Sequence, residues 1–177
     1  MDSASPPRSP SLLIITGSMG SGKTAVMAEA SDILTARGIS HVAIDLDMLG
    51  MAHLPDAMSN DDVMYANLKD IWHNYAPLGA DRLLLARAIE TYAEVERCRI
   101  AVGAKEAIVC RLTASVNTME RRVAGRELGI YREKYLRRVA TLNEALQRLR
   151  LENFVIDNDN RPLTDVAQEL LERSGWL

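Results

Sequence analysis

One stretch constrains the fold more than any other. From Leu12 to Ala30 the chain reads LLIITGSMGSGKTAVMAEA. Leu12 to Thr16 is a short continuous apolar run bounded by Pro10 and Gly17, which suits a central parallel strand buried on both faces. A loop with three glycines follows, and then a helical pattern running from Gly22 to about Arg37 and stopping at Gly38. Gly17, Gly22, Lys23 and Thr24 fit the spacing G-x-x-x-x-G-K-[ST], with Gly20 between them. Glycines let the backbone take positive φ and let its N–H groups approach phosphate oxygens, while the opening helix adds the positive end of its dipole. Lys23 brings a point charge to the β and γ phosphates, and Thr24 offers a hydroxyl to Mg²⁺. Ser18, Met19, Ser21 and Ala25 complete the segment that would wrap the phosphates of a purine nucleotide, ATP or GTP. A Gly-rich turn matching by chance would lack the buried strand before it and the helix after it.

The next strand is expected at His41–Asp45, giving strand, helix, strand within fifty residues, a right-handed βαβ unit. Beyond it, Ser59 or Asn60 can cap a helix with acids in its first turn and Val63, Leu68, Ile71 and Trp72 on one face. A third strand falls within ADRLLLARAIE, a fourth within EAIVCRLTA and a short fifth within NFVIDN. Two arginine-rich helices, about 115–128 and 131–149 with Gly129 between them, precede the fifth strand. LTDVAQELLERSG closes the chain as a helix ending at Gly175. This alternation predicts an α/β fold with a parallel sheet of about five strands and helices on both faces. At 177 residues the chain suits one domain, 11–177, preceded by a Ser- and Pro-rich tail, 1–10, expected to be disordered.

A composition of 47% apolar and 25% charged residues with a formal charge of -3 is ordinary for a globular protein and gives no electrostatic reason to expect nucleic acid. The apolar runs are too short to span a membrane. Cys98 and Cys110 lack CxxC or histidine spacing and read as reduced core residues, which implies a cytoplasmic setting; zinc is not expected.

Asp45 and Asp47 end the second strand, where side chains two apart share a face at the carboxyl edge of the sheet. Either can meet the γ phosphate, its metal or an acceptor hydroxyl; the plainer reading is a turn that Asp45 caps. Arg122 and Arg126, four apart, share a helical face on which paired guanidinium groups can hold phosphate oxygens, with Arg121 rotated away. Their plainer reading is a solvated face paired with Glu120 and Glu127. Between Arg121 and Arg150 nine basic residues stand against three acidic ones, a local excess suited to a polyphosphate. Met48, Met51, Met58, Met64, His53 and Trp72 can be core filling or a methionine-lined acceptor pocket, and His53 a loop residue or a base.

The glycine loop, the strand ending in DLD and the arginine helices together resemble the adenylate-kinase-like P-loop small-molecule kinases, the group of the shikimate, gluconate and adenylylsulfate kinases and chloramphenicol phosphotransferase. The resemblance spans nearly the whole chain from Leu12. It implies a three-layer P-loop NTPase fold, a helical lid over about 119–135, and transfer of the γ-phosphate of ATP, with Mg²⁺, to a hydroxyl of a small molecule. It places Asp47 at the acceptor and Asp45 with Thr24 at the metal, or the two aspartates in the reverse order, and makes Arg122 and Arg126 lid arginines closing on the nucleotide. Asn158, Asn160, Arg161 and Pro162 would form a wall of the adenine site. The chain departs from the pattern at the third strand, where Arg87 and Glu90 stand in place of a second acid, and after DLD, where MLGMAHLPD carries no acceptor signature. A nucleotide-binding regulator without catalysis, or a simple NTP hydrolase, is the alternative.

Overall fold

The computed structural model describes residues 9–53 and 60–177. Five parallel strands lie in the order β2-β3-β1-β4-β5: β1 (Ser11–Thr16), β2 (Val42–Asp45), β3 (Arg82–Ala86), β4 (Ala107–Thr113) and β5 (Phe154–Asp157). Six helices connect and cover them: α1 (Lys23–Ala36), α2 (Asn60–Tyr75), α3 (Tyr92–Val102), α4 (Val116–Arg126), α5 (Arg132–Leu149) and α6 (Leu163–Arg173).

The unbroken apolar run of β1 is explained by its central place. Leu12 and Ile14 join the core under α2 and α3, and the alternate residues Leu13 and Ile15 join the core under α1 and α6. β3 divides in the same way, Leu83 and Leu85 against Leu84 and Ala86. Both faces of each strand are therefore buried, and no polar alternation can appear. A smaller cluster, Ala114, Met119, Val123 and Val139, packs α4 against α5 above the carboxyl end of the sheet.

The expected elements are present with one addition. The helix α3 was not anticipated, although its signals are local: Thr91 accepts from the Glu94 amide and Glu94 reaches back, a capping box, and Gly103 closes the other end at φ 70°. On α2 the buried stripe is Met64, Tyr65, Leu68 and Trp72, with Val63 and Ile71 at its half-buried margin. The stripe is rotated because the partner surface includes α3. Within the run Ile108–Leu112, Arg111 is buried in an ion pair with Glu152 at 3.0 Å, which ties the chain after α5 to β4. Cys98 and Cys110 are free and buried, and desolvation pushes both thiols up to about 12, so neither is reactive at neutral pH. Residues 1–8 of the expected tail over 1–10, the Ser59 cap and Met58 lie outside the described residues.

Candidate active site

β1 has β3 on one side and β4 on the other, so the chain's crossovers part at its carboxyl end, where ligands of open α/β sheets bind. The loop 17–22 emerges there and leads into α1. Its conformation needs glycine at particular points. Gly20 has φ 78°, and a Cβ on it would fall on the carbonyl oxygen of Met119; Gly22, at φ 99°, would meet the Asn158 amide. Lys23 Nζ lies across the loop, donating to the carbonyls of Gly17 at 2.9 Å and Ser18 at 3.2 Å. Desolvation lowers its pKa to about 8, against the opposing pull of Asp47 and Asp45.

The loop is braced from outside by residues far away in sequence. Ser18 Oγ donates to the Val139 carbonyl at 2.8 Å, fixing the loop to α5. Asn158 Nδ2 donates to Ser21 O at 2.7 Å, and Arg122 donates to Gly20 O at 3.2 Å and Asn158 O at 2.9 Å. Thus α4, the end of β5 and the loop form one hydrogen-bonded unit. We expect Arg122→Ala to weaken ATP binding by about tenfold, since two charge-assisted bonds to loop-fixing carbonyls are lost. Calorimetric titration with ATP checks this, and unchanged affinity would show that the brace is dispensable.

The two aspartates sit differently from a plain strand pair. β2 ends at Asp45, and Leu46–Gly50 is a single 3₁₀ turn, so the two-residue alternation of the strand does not carry through to Asp47. Asp45 caps this turn, its Oδ1 accepting from the Asp47 amide at 3.3 Å, and its Oδ2 accepts from Thr24 Oγ1 at 2.7 Å. The carboxylate is therefore the turn cap that the plainer reading expects, and it also meets the hydroxyl of the loop threonine. Asp47 is 60% exposed and lies 3.5 Å from Arg87. Its carboxyl is raised from the ordinary carboxylate range, desolvation outweighing the opposing Arg87.

The remaining expected site residues fall into two groups. Arg126 is exposed and pairs with Glu127 at 2.9 Å, yet its charge still acts on Lys23. Arg161 is turned to Asp157 O at 3.0 Å and Glu169 at 2.7 Å, and Pro162 precedes α6 as its cap. Asn158 is buried against the loop, and Asn160 takes φ 53° in the turn after β5. Met64 and Trp72 are core, whereas Met48 and Met51 are exposed, as is His53, so these residues do not form one pocket. Sequence reasoning left Arg87, Glu90 and Arg138 unassigned: Arg87 directly follows β3 and stands among acids, and Glu90 pairs with Arg138 of α5.

A magnesium site needs few protein ligands, because Mg²⁺ keeps waters and takes phosphate oxygens. The Thr24 hydroxyl beside the Asp45 carboxylate at the start of α1 is a hard-oxygen pair of that kind. Among the described residues no group of three or more His, Cys, Asp or Glu side chains could hold a metal alone, and no helix is long and apolar enough to cross a membrane.

No family model matches the chain, and no curated protein sequence matches it. Solved structures do. The APS kinase of Mycobacterium tuberculosis, in complex with AMPPNP and APS, superposes with a TM-score of 0.62 at 22% identity over 94% of this chain and 98% of that one. The tunicamycin resistance protein of Deinococcus radiodurans gives 0.64 at 16% identity, covering 95% and 96%. A gluconokinase of Sinorhizobium meliloti gives 0.58 at 19% identity, covering 96% and 94%. The chain has the fold of the P-loop small-molecule kinases.

Proposed function

We propose that the protein is an ATP- and Mg²⁺-dependent phosphotransferase that moves the γ-phosphoryl group of ATP to a hydroxyl of a small molecule. The observation that carries this is the contact between Thr24 of the glycine loop and Asp45 at the end of β2, with Asp47 beside it. It joins a phosphate cradle to a carboxylate pair at one sheet edge.

In this reading the loop amides and Lys23 hold the β and γ phosphates, and Thr24 with Asp45 would hold the metal. Mg²⁺, when bound, neutralises phosphate charge and screens the approach of the acceptor. Asp47 orients the acceptor hydroxyl and takes its proton as the new O–P bond forms and the β–γ bridging P–O bond breaks. Arg122, fixed on the loop, and Arg126, at the rim of the 119–135 lid, spread the charge of the moving phosphoryl group. Catalysis is then mostly positioning and electrostatics.

The test is calorimetry with ATP, with and without Mg²⁺, followed by a screen of hydroxyl compounds for ADP formation. Mg²⁺-dependent binding with transfer to an acceptor supports the proposal. A second reading, a nucleotide-binding regulator, is favoured by Arg87 standing at the end of β3 where an acid would serve a metal. Binding with no transfer supports that reading. Phosphate release without any acceptor supports a hydrolase.

A further inference from the structure

We propose that Arg87 is the positioning residue for Asp47, holding the carboxylate that receives the acceptor in one orientation; this rests on the phosphotransferase reading above. The two partners differ greatly in freedom. Asp47 is 60% exposed on a 3₁₀ turn, while the Arg87 side chain is only 12% exposed. Parallel pairing sets Asp45 opposite Ala86, so the residue leaving β3 stands next to the turn that bears Asp47.

Arg87 is itself held by its backbone and by both terminal guanidinium nitrogens, while its buried Nε has no hydrogen-bond partner among the described residues. Its amide donates to Ile15 O at 3.1 Å, which anchors it to β1 beside the glycine loop. Its guanidinium lies 3.2 Å from Asp61 of α2 and 3.4 Å from Glu94 of α3, against the Met64 thioether and 5.9 Å from the Tyr65 ring centroid. Glu94 is fixed in turn, its Oε2 accepting from the amides of Glu90 at 2.8 Å and Thr91 at 2.9 Å as part of the α3 capping box. A chain of contacts therefore runs from the start of α3 through Glu94 and Arg87 to Asp47. A rigid planar fork at its centre suits this role better than a flexible ammonium would. The three surrounding carboxylates already occupy the guanidinium charge, so Arg87 is placed to support a carboxylate rather than to capture an anionic group of the acceptor.

The test compares the native protein with Arg87→Met and Arg87→Lys. The χ1 angle of Asp47 is read from three-bond couplings in isotopically labelled, ligand-free protein, and ATP hydrolysis with water as acceptor is read alone and combined with Asp47→Asn. We expect one Asp47 rotamer in the native protein and an average in Arg87→Met. Hydrolysis should fall by about tenfold at unchanged KM for ATP, as expected for a misplaced reacting group. In Asp47→Asn the further loss of Arg87 should cost nothing, because its effect passes through Asp47. If Arg87→Met fails to fold, Arg87→Lys keeps the charge without the fork and should still loosen Asp47. A native Asp47 that is already averaged, an unaltered rotamer in a folded variant, or losses that multiply would each overturn the proposal. If the native protein releases no phosphate to water, the couplings alone decide the role of Arg87, and the phosphotransferase reading stands or falls separately on the acceptor screen.

Discussion

The Lys23→Ala protein should lose ATP turnover by about a thousandfold, some 4 kcal/mol of transition-state stabilisation, and remain folded. Lys23 lies across the mouth of the loop on the carbonyls of Gly17 and Ser18, where no other described cation donates to the same pair. Alanine would leave the phosphate charge to the loop amides, Arg122 and Arg126. Stability should not follow activity, and the sign can be worked out. The folded-state pKa of about 8 lies below the ordinary 10.5, so protonation favours the unfolded chain. The charged lysine therefore costs stability in full below about 8, and the cost fades as pH rises from there toward 10.5. At neutral pH the alanine variant should melt at or above the native temperature. The same shift predicts that native affinity for ATP declines as pH rises through about 8, while the variant shows no such decline. Calorimetry across that range and a thermal melt check both statements; turnover unchanged by the substitution would remove the phosphates from the loop and sink the proposed function.

What could be read from the sequence follows the range of the interactions. The glycine loop was legible because its chemistry is local: Gly17, Gly22, Lys23 and Thr24 lie within eight positions and their types follow from backbone geometry. β1 was legible because burial on both faces leaves no polar residue to interrupt it. By contrast, Arg87 reads in the sequence only as a departure, a base where a second acid is expected. Its partners Asp47, Asp61 and Glu94 come from three elements, and no spacing rule brings them together. Asn158 is expected at the adenine site from the resemblance of its turn, and its amide bond to the carbonyl of Ser21 could not be read from the sequence, because the two residues lie far apart in the chain. Strand alternation puts Asp45 and Asp47 on one face, and the 3₁₀ turn takes Asp47 out of that alternation. The miss at α3 is of another kind. Thr91, Glu94 and Gly103 were present as caps, but few apolar residues mark the helix, whose inner face is Val95, Cys98 and Val102.

That separation of the two aspartates leads to the second large effect. Asp47→Asn should bind ATP and Mg²⁺ like the native protein and transfer the phosphoryl group more slowly by a factor of about a hundred to ten thousand, the range expected when a general base is lost. Asparagine has nearly the same shape and can still accept a hydrogen bond, so orientation is largely kept; what it cannot do is take the acceptor's proton. Arg87 retains Asp61 and Glu94, so the fold has no reason to yield. Desolvation by its neighbours raises the Asp47 carboxyl above its ordinary range, but with 60% of the side chain exposed solvent screens most of the effect on stability, so removing the charge should leave the melting temperature at neutral pH nearly unchanged. The base must be ionised to act, so native transfer should decline as pH falls through that raised range, and the asparagine variant should lack this acid limb. Asp45→Asn is the contrasting case. Its carboxylate meets the Thr24 hydroxyl, so its loss should appear as a higher Mg²⁺ requirement, measured by titrating the metal at fixed ATP. If Asp47→Asn instead raised the Mg²⁺ requirement and Asp45→Asn removed the acid limb, the roles of the two carboxylates would have to be exchanged. If neither substitution changed transfer, the chemistry would lie outside the aspartate pair altogether.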